Sequence, residues 1–219
     1  MSGTRIALVA LVAALAWAAW PMQPVVFDTH RAVRQLVIRS TLARTDDAIV
    51  ILGDSIVEAS TMPRSLCGHA IINAGIGGAS TASNLGSMLA ESLGNKQAAL
   101  VVVSLGANDA AIPHSVAQYQ SNYRALLRKL AALTVRSVVL AIPPPEAGLE
   151  EAKKISAAVI DSYNEILPEL AKETRAAFIP LPAMPERHTL DGIHLNAAGY
   201  EVWDKAILGG MEAILCKSS

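Results

Sequence analysis

The sequence predicts an α/β fold, a three-layer α/β/α sandwich around a five-stranded parallel sheet of flavodoxin-like order 2-1-3-4-5. Three observations predict it. Short continuous apolar runs alternate with longer stretches of helical periodicity along the chain. The apolar runs lack a polar alternate face, as strands covered on both sides do. There is also no internal repeat or long linker to divide the 219 residues.

The elements follow in order. Arg5 and the unbroken apolar stretch Ile6 to Trp20 read as the n-region and h-region of an export signal. The stretch is shorter than the ~20 residues of a comfortable membrane span. Small-x-small sites at Ala14-Leu15-Ala16 and Ala16-Trp17-Ala18 suit a signal peptidase, and Pro21 and Pro24 end any helix there. Residues 1–24 are therefore a signal peptide or an N-terminal membrane anchor, and 25–219 are the expected domain. The protein is expected outside the cytoplasm, periplasmic or secreted, with residues 6–20 the candidate inner-membrane tether. Asp28 to Arg44 has helical periodicity with interleaved arginines.

Ala48 to Leu52 is the first strand and Ala70 to Ile72 the second. Leu100 to Val103 is the third, Ser137 to Ile142 the fourth and Ala177 to Ile179 the fifth. Helices are expected over Thr81 to Leu93, Val116 to Leu133 and Glu150 to Glu173, with Pro168 kinking or splitting the last. Pro143-Pro144-Pro145 forms a rigid loop. Asn196 is suited to cap a final helix through Leu215.

Apolar residues make up 52% of the chain and charged residues 17%, so a sizeable core is expected and disorder is not. A net charge of −1 with no basic stripe argues against nucleic acid as a partner. Cys67 and Cys216 match no metal motif. In an exported chain they are a candidate disulfide, and two free thiols are the alternative.

In sheets of this kind ligands bind beyond the C-terminal strand ends, at the switch point between strands one and three. Gly53-Asp54-Ser55 follows strand one directly. Gly106-Ala107-Asn108-Asp109 follows strand three. Asp191-Gly192-Ile193-His194 adds a carboxylate and an imidazole three residues apart, so Asp191 can hold one ring nitrogen of His194 while the other faces Ser55. Alone, Ser55 reads equally well as a helix N-cap. Gly53 to Val57 is not the G-x-S-x-G elbow, because position 57 is Val. Acyl transfer also needs donors for an oxyanion. Asn73 to Gly78 offers glycine backbone N–H groups after strand two, and Asn108 offers a side-chain amide. Asn73, Asp54 and Asp109 read as loop-bracing residues. Glu186 and His188 read as solvent-facing, and no metal site is expected.

Taken together, Gly53-Asp54-Ser55, Asn73 to Gly78, Gly106 to Asp109 and Asp191 to His194 resemble the blocks of the SGNH (GDSL-like) hydrolase family, over about Ala48 to Trp203. The resemblance implies Ser55 as nucleophile and Asp191 and His194 as its partners. It places the oxyanion hole at the Ser55 N–H, the Asn108 amide and, by spacing from Asn73, Gly78, with Gly75 and Gly77 close by. It implies a serine hydrolase acting on carboxylic esters, with short-chain acyl or O-acetyl groups on a small molecule or saccharide, and no cofactor. The same residues serve an acyltransferase that moves the acyl group to a saccharide hydroxyl. A non-catalytic envelope binding module is the alternative from another class. Oligomeric state is not legible in the sequence.

Overall fold

Residues 29–111 and 115–216 are described by the computed structural model. The leader, with its expected signal or tether over 1–24, lies outside them. Among the described residues no helix is long and apolar enough to cross a membrane.

Six strands form one sheet in the order β2-β3-β1-β4-β5-β6. They are β1 (Ile49–Gly53), β2 (Ser65–Leu66), β3 (His69–Gly75), β4 (Leu100–Ser104), β5 (Ser137–Leu140) and β6 (Ala177–Ile179). The five long strands are parallel and keep the expected order, with β1 between β3 and β4. The sixth was not expected. β2 is two residues long and pairs antiparallel with β3 at the edge. Cys67 and Gly68 join them with φ of +51° and +86°, the double positive φ of a tight hairpin turn. A Cys-Gly pair carries little of that signal in sequence.

The helices are α1 (Thr29–Ala43), α2 (Ser55–Ala59), α3 (Leu85–Leu93), α4 (Ala107–Ala111), α5 (Val116–Leu130), α6 (Ala157–Glu173) and α7 (Ala197–Leu215), with a 3-10 turn at Glu151–Lys154. The described residues from Val33 to Cys216 form one compact unit; of the unit before it only the start of α1 is described.

Alternate residues of β1 face two apolar layers. Val50 and Leu52 pack with Ile38 and Leu42 of α1 and with residues of α3, α5 and α6. Ile49 and Ile51 pack with Ile56 and Val57 of α2 and with Trp203, Ile207 and Met211 of α7. Each fully buried aliphatic side chain contributes roughly 1.5–3 kcal/mol, so this double burial fixes the register of the central strand.

Some expected boundaries shift. Pro168 sits inside an uninterrupted α6. The break falls earlier, at Ile155, because Ser156 caps α6 by accepting from the Val159 N–H. α3 begins at Leu85, not Thr81, because Asp109 takes the Thr81 N–H and hydroxyl into a loop. The final helix starts as expected, with the Asn196 side chain accepting from the Gly199 N–H. Cys67 in the hairpin and Cys216 at the end of α7 come together at a Cα separation of 5.7 Å, within the span of a disulfide.

Candidate active site

The register places the site. Gly53 pairs with Gly75 on one side and Ser104 on the other, so the three central strands end in line. The chain leaves those ends as Ser55, as the Ile76–Ala79 turn and as Asn108.

Ser55 is not the helix cap. Asp54 has that role, with extended backbone, its Oδ1 accepting from the Ile56 N–H at 2.9 Å. Ser55 is the first helical residue, and its hydroxyl is left for another partner. That partner is His194, whose Nε2 lies 2.9 Å from Ser55 Oγ. His194 Nδ1 lies 2.7 Å from Asp191 Oδ2. With Nδ1–H donating to that carboxylate, Nε2 is the bare nitrogen that accepts the Ser55 hydroxyl proton. Asp191 Oδ1 accepts from the backbone N–H groups of Ile193 and His194 at 3.0 and 2.9 Å. Burial pushes the Asp191 carboxyl up, but the hydrogen bonds from His194 and Ile193 outweigh it and hold the group below its ordinary value. It therefore stays a carboxylate beside the imidazole.

Asp54 is different. It is 3% exposed, and burial pushes its carboxyl up to about 7 against the hydrogen bond from the Ile56 N–H, which favours the charged form.

Ile76 to Ala79 is a turn closed by the Ala79 N–H donating to the Ile76 carbonyl at 3.0 Å. Gly78, with φ of +74°, occupies the position where such a turn needs glycine. Nothing lies within 4 Å of where a Gly78 side chain would begin, so the residue borders open space. Among the described residues the Ser55 and Gly78 N–H groups have no acceptor. Gly106 also has a backbone that favours glycine, with φ of +145°, and a Cβ there would sit 2.2 Å from Ile142 Cδ1. It brings α4 in tightly, so that Asn108 reaches across and donates from Nδ2 to the Ala79 carbonyl at 2.9 Å. The amide keeps a second N–H.

Asn73 braces loops as expected. Its Nδ2 donates to the Val57 carbonyl at 2.6 Å and its Oδ1 accepts from the Gly75 N–H at 3.0 Å. Asp109, fully buried, holds Thr81 in the same way. His188 corrects an expectation: it does not face solvent but is 5% exposed. Its ring nitrogens lie 2.8 Å from the Pro185 carbonyl and 3.0 Å from the Pro144 carbonyl. A Pro-rich segment with no N–H donors of its own at 143–145 makes a ring donor useful there. Among the described residues no group of three or more His, Cys, Asp or Glu is placed to hold a metal ion.

Several supporting residues carried no sequence signal, because their partners are distant in the chain. Glu146 Oε2 accepts from the His188 N–H at 2.9 Å and from the Thr189 N–H and hydroxyl, both at 2.8 Å. Those bonds, the Thr189 hydroxyl first, hold its carboxyl below the ordinary value. The segment carrying Asp191 and His194 thus hangs on the loop after β5. Asn164 pins that loop in turn, exchanging bonds of 2.8 and 3.0 Å with the Ile142 backbone. Arg34 and Glu58 brace the loop after β3. A small cavity of about 10 Å³ adjoins these loops, lined by Ile56, Ala107, Pro143, Ile155, Ile160 and Ile193 among others. Three of these are chain neighbours of Ser55, Asn108 and His194.

Known proteins share this fold. The fold is shared with a candidate platelet activating factor from Streptococcus pneumonia, with a TM-score of 0.68 at 23% identity, covering 93% of this chain and 99% of that one. It is shared with a lipase/acylhydrolase from Enterococcus faecalis, with a TM-score of 0.64 at 20% identity, covering 78% and 98%. A catalytic mutant of Axe2, an acetylxylan esterase from Geobacillus stearothermophilus, gives a TM-score of 0.60 at 17% identity, covering 75% and 94%. No match is found among curated proteins. The model of the GDSL-like lipase/acylhydrolase family matches residues 51–202, which hold all four motifs. The chain therefore belongs to the GDSL-like lipase/acylhydrolase family and is an ester hydrolase of the SGNH type.

Proposed function

We propose that Ser55 is the nucleophile of an esterase that removes short acyl groups, such as O-acetyl groups on a saccharide, through an acyl-enzyme intermediate. The observation that carries this is the unbroken line from Ser55 Oγ to His194 Nε2 at 2.9 Å and from His194 Nδ1 to Asp191 at 2.7 Å. His194 takes the hydroxyl proton as Ser55 Oγ bonds to the acyl carbon. The oxyanion is held by the Ser55 and Gly78 N–H groups and by the free N–H of Asn108. Its collapse breaks the ester C–O bond, and His194 gives the proton to the leaving alcohol. Water then repeats the cycle, His194 taking its proton, and Ser55 regains its hydrogen as the acid departs. No metal or organic cofactor enters these steps.

The small cavity beside the line supports a short acyl group. About 10 Å³, near the volume of one water-sized probe, favours a small acyl group over a long one. The neighbour named as an acetylxylan esterase supports a saccharide ester. The apolar segment 6–20 exports the chain and, if uncleaved, tethers it to the inner membrane. The test is hydrolysis of p-nitrophenyl esters of increasing chain length by wild type and Ser55→Ala. Activity should be highest at acetate and absent in Ser55→Ala with an unchanged circular dichroism spectrum. Activity rising to long chains overturns the acyl assignment, and an active Ser55→Ala overturns the nucleophile.

A further inference from the structure

We infer that Arg34, on a helix outside the family match, is a positioning residue for the oxyanion loop. The inference rests on the reading above, in which the Gly78 N–H stabilises the oxyanion.

α1 ends before residue 51, where the match begins. Yet Arg34 reaches from it to the loop after β3. Its Nε and Nη2 donate to the Gly75 carbonyl at 3.0 and 2.8 Å, and Nη2 lies 3.2 Å from both the Asn73 carbonyl and Asn73 Oδ1. Nε is also 3.2 Å from Glu58 Oε1. The other oxygen of that carboxylate accepts the Gly77 N–H at 2.6 Å. Between these two anchors the Ile76 N–H donates to the Gly53 carbonyl at 3.0 Å.

Three successive backbone groups are therefore tied down: the Gly75 carbonyl by Arg34, the Ile76 N–H by Gly53 and the Gly77 N–H by Glu58. The Gly78 N–H is the next in line and is the first without a protein acceptor among the described residues. Its direction is set by the peptide planes before it. The planar guanidinium can bond two carbonyls and a carboxylate at once, which an ammonium cannot do with the same geometry. Oxyanion donors act through preorganisation, so a small rotation of this loop lowers kcat while leaving ground-state binding nearly intact. The Arg34 side chain is 21% exposed, so a small cation can enter the space it vacates.

The experiment uses the full chain and p-nitrophenyl acetate with Arg34→Ala, Arg34→Lys and Ser55→Ala, with and without millimolar guanidinium. Arg34→Ala should lower kcat roughly ten- to a hundredfold with KM within about twofold, less than outright loss of a donor. Guanidinium should restore part of the kcat of Arg34→Ala and none of Ser55→Ala. Arg34→Lys should also fall in kcat, because it keeps the charge and loses the fork; it decides the matter if Arg34→Ala does not fold. Wild-type kcat in either folded variant, even with a lowered melting temperature, overturns the inference and leaves Arg34 a staple of α1. An active Ser55→Ala overturns instead the reading on which the inference stands.

Discussion

The side-chain amide of Asn108 donates to the Ala79 carbonyl at 2.9 Å, tying the start of α4 to the residue after Gly78. One side chain therefore both ties two loops together and presents an N–H to the crevice. Asn108→Ala should lower kcat by roughly 10²–10³ with little change in KM, the scale for one lost oxyanion donor. It should also lower the melting temperature by a few degrees, since a buried carbonyl loses its partner. Steady-state kinetics and a thermal melt on the one variant check both. A lowered melting temperature with kcat within about threefold of wild type makes the residue a scaffold alone.

Asp54 makes a pH prediction whose sign follows from burial. Its carboxyl is pushed from 3.8 up to about 7, so the folded state holds a proton that the unfolded state has released. Stability from this group therefore falls as pH rises from about 4 to about 7 and is level above that. Asn at this position keeps an oxygen to cap the Ile56 N–H and has no charge to desolvate. The stability of Asp54→Asn relative to wild type should rise across that window, by on the order of 4 kcal/mol at most. Urea melts at several pH values measure it. A constant difference between the two proteins refutes the assignment.

Glu146 has the opposite sign. Its carboxyl lies below the ordinary 4.5 because Thr189 and the His188 N–H bond the charged form. Its stabilising contribution is present above pH 4.5 and is lost as pH falls through the lower folded value. Glu146→Ala should lower kcat as well as melting temperature, because the loop it holds carries Asp191 and His194. Its melting-temperature deficit should shrink below about pH 4. A deficit that persists unchanged in acid, or a normal kcat, contradicts this role.

The chain order of motifs made most of the sheet legible. Five continuous apolar runs gave five parallel strands in their observed order, since such strands are buried on both faces and show it in composition. β2 was not legible, being two residues of edge pairing behind a Cys-Gly turn. Of the two outcomes Pro168 allowed, the split does not occur, because tertiary packing of Tyr163, Leu167 and Leu170 outweighs the lost Pro168 hydrogen bond. Within the site, the motifs exposed residues close in sequence to one another. Arg34, Glu146 and Asn164 act across sequence separations of 22 to 43 residues, where spacing carries no information. His188 was misplaced because its environment depends on the proline loop at 143–145.

Cys67 and Cys216 should be oxidised in protein taken from an exported location. The bridge closes a separation of 149 residues, which stabilises by up to about 5 kcal/mol in the chain-entropy limit. Thiol counting under denaturing, non-reducing conditions should find none, and reduction should lower the melting temperature. Two titratable thiols in such a preparation refute the pairing.

The central claim is that Ser55 is activated by His194. Its most direct test is to treat the full chain with a fluorophosphonate and map the adduct by peptide mass spectrometry. One label is expected per chain, on Ser55, with labelling slowed by several orders of magnitude in His194→Ala. A label on another residue, or an active esterase that takes no label at Ser55, contradicts the claim.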